Sequence, residues 1–188
     1  VFVAVYVAIV AFSLPGATIA MGGRTWDIRM GGGHAPEHAT FWSRDDNLVI
    51  GGDQLLPSIS PNLGVYPTEP DADPVSDWLQ SCEKFQTYAD DTQLVLCGHK
   101  LPFTGLPLRL RQLIGNHHGA LDRLVAHLDQ PRSAGECFVP LFKRKIGGGE
   151  YGLALVEAVA HLNHLHQAGL VHREMRDDGA WIYKATAT

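Results

Sequence analysis

The chain of 188 residues has few cysteines, little excess charge of either sign and no apolar run long enough to cross a membrane as a helix. Its three cysteines, Cys82, Cys97 and Cys137, are too few and too widely spaced for a disulfide framework or a Cys-x-x-Cys metal knuckle, and they predict a reducing, cytoplasmic location. A net charge of −5 argues against a protein that binds nucleic acid through a broad basic face, because neutralising phosphates requires clustered Lys and Arg.

The longest apolar run, residues 1–14, falls short of the ~20 residues that a membrane-spanning helix needs. It also lacks the basic segment that opens a secretory signal. Its many β-branched residues favour a buried strand of a larger sheet over a membrane or signal segment. We therefore expect no association with a membrane.

The rest of the chain is typical of a folded α/β protein, with 45% hydrophobic and 19% charged residues. Alternating and apolar runs predict strands at 18–21, 25–30, 39–43, 47–50 and 93–97, the first two as a hairpin around a Gly-Gly turn. Apolar spacings of three and four predict a helix that starts at Pro74, a longer one over 106–128, a short one over 138–146 and an amphipathic one over 151–168.

Three short motifs place a metal-ligand residue beside glycine. They are Gly-Gly-Gly-His-Ala-Pro-Glu-His over 31–38, Gly-Gly-Asp over 51–53 and Cys-Gly-His over 97–99. Glycine lets the backbone turn sharply, so that the next side chain points into a site at the end of a strand. A catalytic divalent metal needs imidazole and carboxylate ligands held in this way, with one position left open for water.

In this order the motifs resemble those of the metallo-β-lactamase-fold hydrolases, which include glyoxalase II-like thioesterases. The resemblance runs from about residue 15 to residue 184. It implies that His34 binds the first of two metals, that Asp53 bridges them and that His99 binds the second. It further implies Zn²⁺, with Fe or Mn as alternatives, and hydrolysis of an ester-type or thioester-type bond in a small molecule by metal-activated water.

The family also has an upstream His-x-His-x-Asp-His motif that supplies most of the other ligands, and no such motif occurs in these 188 residues. We therefore expect the C-terminal half of an αββα sandwich over residues 1–130, with the catalytic base unassigned. The chain is then a fragment, a degenerate relative or one of two polypeptides that complete the fold. Apolar strand surface left uncovered by the missing half predicts pairing with another chain, for example as a homo-oligomer.

Two histidine positions are candidates for supporting roles. His38 follows the proposed ligand His34 by four residues, a spacing that suits a residue that orients a ligand or its loop. His117 and His118 are adjacent in the long helix, so they face different directions and cannot both enter one site. We keep His118 as a weak candidate for contact with the substrate or support of a ligand, while an ordinary structural role remains the alternative.

A turn at 130–135, rich in Pro, Gly and Ser, predicts a boundary before a second module over residues 136–188. Two helices followed by a hairpin, 170–174 and 180–183, resemble the small winged-helix appendage of some members of this hydrolase family. The second helix carries polar residues that we expect to be exposed, and none is Arg or Lys: Glu157, His161, Asn163, His164 and His166. Such a helix offers little attraction to phosphate, so we expect no nucleic-acid partner.

The long proline-rich stretch over 57–74 exceeds an ordinary connection. It predicts either a wall or lid of the substrate pocket or a plain surface excursion. For the protein as a whole two functions stay open: a metal-dependent hydrolase whose site is incomplete in this chain, and a non-catalytic relative that keeps the fold for binding or structure.

Overall fold

The structure, a computed structural model, describes residues 16–186. The apolar run 1–14, predicted as a strand, lies outside the described residues. The described chain divides into an N-terminal unit, residues 16–61 and 81–111, and a C-terminal unit, residues 62–80 and 112–186. This division does not coincide with the boundary predicted at 130–135, which stays a prediction about domains.

The N-terminal unit is built on a five-stranded sheet. Its strands are β1 (Thr18–Met21), β2 (Arg24–Gly31), β3 (His38–Ser43), β4 (Leu48–Gly52) and β5 (Leu94–Cys97). They lie in sequence order, antiparallel from β1 to β4, and β5 runs parallel to β4. All five strands predicted from the sequence are confirmed.

The pattern of alternating residues sets the two faces of the sheet. Trp26 and Ile28 of β2 are buried on one face, while Asp27 and Arg29 lie on the other. Asp27 pairs with Trp42 of β3, so the buried Trp42 lies on the same face as Arg29. The β1–β2 turn has positive φ at both of its glycines, as a tight type I′ hairpin requires.

The directions of the strands bring the glycine motifs together. Because β2 and β4 are both antiparallel to β3, they run in the same direction, and β5 runs with β4. The carboxyl ends of β2, β4 and β5 therefore meet at one edge of the sheet, where β3 also begins. This edge receives the three predicted metal-ligand motifs.

The helices are α1 (Pro74–Gln86), α2 (Leu106–His127), α3 (Phe138–Phe142) and α4 (Tyr151–Gln167). Asp73 caps α1, with Oδ1 accepting a 3.0 Å hydrogen bond from the Ser76 N–H, and Pro74 takes the first helical position. The predicted helix over 138–146 is too long: Lys143 adopts φ 57° and its N–H donates to the Val139 carbonyl, which ends α3. Across residues 16–186 no helix has the length and apolarity to traverse a bilayer.

The C-terminal unit contains a three-stranded antiparallel sheet of β6 (Arg132–Ser133), β7 (Val171–Met175) and β8 (Trp181–Ala185), in the order β6-β8-β7. The hairpin of β7 and β8 is confirmed. The short strand β6 adds to it and was not predicted, because two residues carry no periodic signal.

The helix α4 holds residues 62–73 of the proline-rich stretch by hydrogen bonds within the C-terminal unit. Asn62 Nδ2 donates to Glu157 Oε2 at 2.7 Å, and Asn163 Nδ2 donates to the carbonyls of Pro70 and Ala72 at 2.9 and 3.1 Å. His164 Nδ1 lies 3.0 Å from Asp73 Oδ2. These residues are therefore fixed to a helix, and a role beside a substrate pocket stays a prediction.

The expectation that the polar residues of α4 are exposed is wrong. His161 and Asn163 are each only 1% exposed, and His164 pairs with Asp73. The His161 ring stacks on the His117 ring, with the two ring centroids 5.5 Å apart. The His117 ring centroid in turn lies 4.5 Å from that of Trp78. The physical reason is that residues 62–80 and α2 cover this face of α4, a contact that the sequence of the helix alone does not reveal.

Candidate metal centre

Asp53 lies between two histidines and turns one carboxylate oxygen toward each. Asp53 Oδ2 is 3.6 Å from His34 Nε2, and Asp53 Oδ1 is 3.5 Å from His99 Nε2. The three residues His34, Asp53 and His99 follow the carboxyl ends of β2, β4 and β5 respectively. The structure thus brings together the three residues that the sequence predicts as metal ligands.

Backbone geometry at the strand ends aims these side chains. Gly33 and Gly52, the residues just before His34 and Asp53, have φ values of 96° and 52°, in the left-handed region that favours glycine. The Gly98 N–H donates to the Gly52 carbonyl at 2.8 Å, which ties the end of β5 to the end of β4. His99 and Asp53 are positioned by this connection.

The spacing of the three side chains fits shared coordination better than direct pairing. Direct N–H···O hydrogen bonds span roughly 2.7–3.2 Å, shorter than both contacts of Asp53. Two ligands bound at about 2.0–2.2 Å to one tetrahedral zinc ion lie roughly 3.4 Å apart, close to what is observed. Asp53 Oδ1 is moreover a buried oxygen with no hydrogen-bond partner among residues 16–186, which a cation would satisfy.

The number of ligands is smaller than a complete site requires. Each pair, His34 with Asp53 and Asp53 with His99, offers two protein ligands, whereas a catalytic zinc site usually has three. Within residues 16–186 no group of three or more His, Cys, Asp or Glu side chains is arranged to hold one metal ion. The donor types and spacings fit zinc, and these three residues would supply only part of its coordination.

His38, predicted to support the site, lies at the start of β3 opposite Gly31. Its ring centroid is 5.9 Å from that of His34, and its Nε2 lies so close to Gly52 that a Cβ there would be 2.7 Å away. Burial lowers the pKa of His38, the neighbouring His34 lowers it further, and Asp53 acts in the opposite direction. The neutral imidazole of His38 is thereby favoured.

Two further residues fix the His34 loop and were not found from the sequence. Ser81 Oγ accepts a 2.7 Å hydrogen bond from the Gly32 N–H, and Gln54 Nε2 donates to the Gly32 carbonyl at 3.1 Å. Gln54 is fully buried, and a side chain at Gly31 would collide with it. For Gln54, its position next to Asp53 was the one sequence feature that could have indicated a role at the site. Ser81 lies 49 residues from Gly32, and no sequence feature linked it to the loop.

His118 belongs to the C-terminal unit, where its side chain is exposed on α2. Its neighbour His117 is buried, so the two histidines do face different directions, as the helix geometry predicts. The assignment of His118 to a substrate contact or a supporting role stays a prediction.

The chain is similar to known proteins of one fold family. The family model of the metallo-beta-lactamase-like C-terminal domain matches residues 121–186. A crystal structure of a beta-lactamase domain protein from Burkholderia ambifaria is 37% identical, with a TM-score of 0.86, over 93% of this chain and 52% of that one. A metallo-beta-lactamase family protein from Thermus thermophilus is 27% identical, with a TM-score of 0.79, over 93% and 54%. No curated protein sequence matches the chain.

These similarities identify a metallo-beta-lactamase-like C-terminal domain in a chain whose structural neighbours have the metallo-β-lactamase fold. The α/β architecture is that of the C-terminal part of such a protein. The family match begins within α2, at residue 121, earlier than the predicted module start at residue 136. The chain spans about half the length of the two solved structures, 52% and 54%.

Proposed function

We propose that this chain supplies one half of a two-metal hydrolytic site. His34 is a ligand of the first metal, His99 of the second, and the carboxylate of Asp53 binds both. The observation that carries the proposal is the orientation of Asp53, whose two oxygens face different imidazoles at 3.6 and 3.5 Å. No third ligand accompanies either pair within residues 16–186, so a complete site of this kind needs further ligands and a catalytic base besides these three residues.

Bound zinc in such a site supplies a water of lowered pKa and polarises the scissile carbonyl. The residues of this chain orient the site. Gln54 and Ser81 hold the His34 loop, and the connection from Gly98 to Gly52 keeps His99 beside Asp53. The proposed substrate class is a small ester or thioester, as in the glyoxalase II-like hydrolases.

We also propose that residues 136–188 form a winged-helix-like module. Its described elements follow the order α3, α4, β7, β8, and the short strand β6, which precedes the module, pairs with β8. This arrangement of helices and a three-stranded wing supports the proposal.

The free state of Cys82, Cys97 and Cys137 supports a reducing, cytoplasmic setting.

The experiment that tests the proposal is a zinc titration of the 188-residue chain by calorimetry, compared with Asp53→Asn and His99→Ala. We expect the wild type to bind zinc and Asp53→Asn to lose at least roughly tenfold in affinity, since an amide replaces the shared anionic ligand. His172→Ala is the matched control, because His172 is an exposed histidine outside the site. Equal zinc binding by wild type, Asp53→Asn and His172→Ala would contradict the proposed ligands.

Activity is tested separately, on the natural polypeptide that contains these residues. Hydrolysis of thioesters, esters, lactones and phosphodiesters is measured with and without Asp53→Asn. Loss of hydrolysis in the variant supports the enzyme. Zinc binding without hydrolysis of any of these substrates would favour the alternative, a non-catalytic binding or structural protein.

A further inference from the structure

We propose that a second site, a cationic cavity beside β2 in the N-terminal unit, binds a small oxyanion, either a carboxylate or a phosphate group. The cavity has a volume of about 390 Å³. Its polar lining comes from Asp27, Arg29, Arg44, Lys84 and Tyr88. This volume lies within the ~300–1,000 Å³ of typical small-molecule sites.

The charges that line the cavity do not balance. Asp27 is the one acidic side chain of this lining, and it pairs with two arginines. Its Oδ1 accepts a hydrogen bond from Arg44 Nε at 2.7 Å, and its Oδ2 accepts one from Arg29 Nη2 at 3.3 Å. In the part of the chain that the structure describes, the Lys84 ammonium makes no ion pair or hydrogen bond. Three cations therefore face one anion, and the cavity attracts a ligand of negative charge.

Arg29 is held in a fixed position with unused donors. Its guanidinium carbon lies 3.5 Å from the centre of the Tyr88 ring and 5.4 Å from that of Trp42, so aromatic rings fix its plane. Its Nε is buried and has no hydrogen-bond partner among the described residues. A buried N–H without an acceptor is costly, and an oxyanion is the natural acceptor for it.

The planar fork of an arginine matches two oxygens of one carboxylate or phosphate. Tyr88 covers one face of the Arg29 guanidinium, which leaves its edge for such a ligand. Lys84, from α1, and Arg44, from the loop between β3 and β4, add positive charge to the lining. The ligand class is thus a small molecule that carries one oxyanion group.

The test is an NMR titration of the ¹⁵N-labelled chain with inorganic phosphate and, separately, with acetate, each against potassium chloride at matched ionic strength. We expect the Arg29 Nε–H resonance to shift and saturate with one of the two anions but not with chloride. Tighter binding of phosphate assigns a phosphate-bearing ligand, and tighter binding of acetate assigns a carboxylate.

Variants test whether the anion is bound by the side chains of this cavity or by the overall positive charge of the surface. Arg29→Lys keeps the charge but loses the fork, and Lys84→Ala removes an exposed cation without disturbing the core. Each is expected to weaken anion binding roughly tenfold or more, the value of one charge-assisted hydrogen bond. Arg111→Ala, the loss of an exposed arginine elsewhere in the N-terminal unit, is expected to leave it unchanged.

The proposal is overturned if no saturable shift occurs. It is equally overturned if all three variants bind the anions as the wild type does, because the cavity is then only a solvated network of surface ion pairs. Zinc binding at Asp53 is measured on the same samples. If Arg29→Lys still binds zinc, any loss of anion binding in this variant is due to the cavity and not to the metal centre.

Discussion

The carboxylate of Asp53 occupies the space in which Gly98 would otherwise carry a side chain. A Cβ built on Gly98 would lie 2.2 Å from Asp53 Oδ1, closer than any real contact of such atoms. Gly98 is also tied to Gly52 by its backbone N–H. The position of the proposed bridging carboxylate therefore depends on the absence of a single methyl group.

Gly98→Ala is expected to displace the Asp53 carboxylate and to lower zinc affinity by about 10–100-fold, as the loss of a supporting group does in other metal sites. Competition with a chromophoric chelator measures the affinity. The matched control is Gly115→Ala in α2, where an added Cβ meets nothing within 4 Å. The control is expected to keep zinc affinity and to stabilise the fold by about 0.5–1 kcal/mol. Unchanged affinity in Gly98→Ala would show that the carboxylate is not a ligand.

Ser81→Ala removes the acceptor of the Gly32 N–H and so loosens the loop that carries His34. We expect a loss of about 1–2 kcal/mol in the free energy of unfolding, because the N–H is left without its partner, and roughly tenfold weaker zinc binding. Urea denaturation and the chelator assay measure the two effects. Ser76→Ala on the same helix is the control, since its hydroxyl accepts a hydrogen bond from the exposed side chain of Gln80. Equal zinc binding by the two variants would show that Ser81 does not support the metal centre.

Stability in acid is expected to depend on His161. Burial, together with the nearby His117, lowers its pKa from 6.5 to about 3. A histidine with a depressed pKa stabilises the fold above its unfolded pKa, and this contribution is lost as the pH falls from 6.5 toward 3. The loss is about 1.4 kcal/mol per pH unit in this window.

His161→Leu is expected to remove this contribution, so that its difference in free energy of unfolding from the wild type changes with pH in a series of urea unfolding curves between about pH 7 and pH 4. The exposed His172 provides the control, His172→Leu, which is expected to retain it. If the free energy of unfolding changes with pH equally in both variants, groups other than His161 cause the acid sensitivity.

Glu157 is expected to act with the opposite sign. Burial raises its pKa to about 7, partly offset by the hydrogen bond from Asn62. An acid with a raised pKa contributes stability that is complete below its unfolded pKa of 4.5 and is lost as the pH rises through 7. Between pH 4.5 and 6.5 the slopes of Glu157 and His161 therefore oppose each other.

Glu157→Gln is neutral at every pH and keeps an oxygen acceptor for Asn62. We expect it to be more stable than the wild type by about 2 kcal/mol at about pH 8 and to match it near pH 4. In this variant the slope due to His161 becomes visible between pH 4.5 and 6.5. A constant difference from the wild type across the whole range would contradict a raised pKa of Glu157.

The sequence predicts the strands and the convergence of the ligands for a clear physical reason. Alternation in β2 and the glycines at the strand ends are local signals, and the strand directions then place His34, Asp53 and His99 at one edge. Long-range partners leave no such local signal. Ser81 is 49 residues from the Gly32 it supports, so its role is visible only once α1 is in place.

Burial in the C-terminal unit was mispredicted for the same reason. His161 and Asn163 are polar residues on an amphipathic helix, and composition alone places them in solvent. Their burial results from chain segments that precede α4 by many residues. The end of α3 at Lys143 also depends on one left-handed residue, which the apolar pattern of 138–146 does not indicate.

The hydrogen bonds from α4 to residues 62–73 have a consequence for the order in which the chain folds. They join residues 91 to 95 positions apart, so a large loop must close before they form. During synthesis the strands that carry His34, Asp53 and His99 are all made before α4. The hydrogen bonds of residues 62–73 to α4 form only after that helix has been made, and until then we expect this segment to be accessible to proteases.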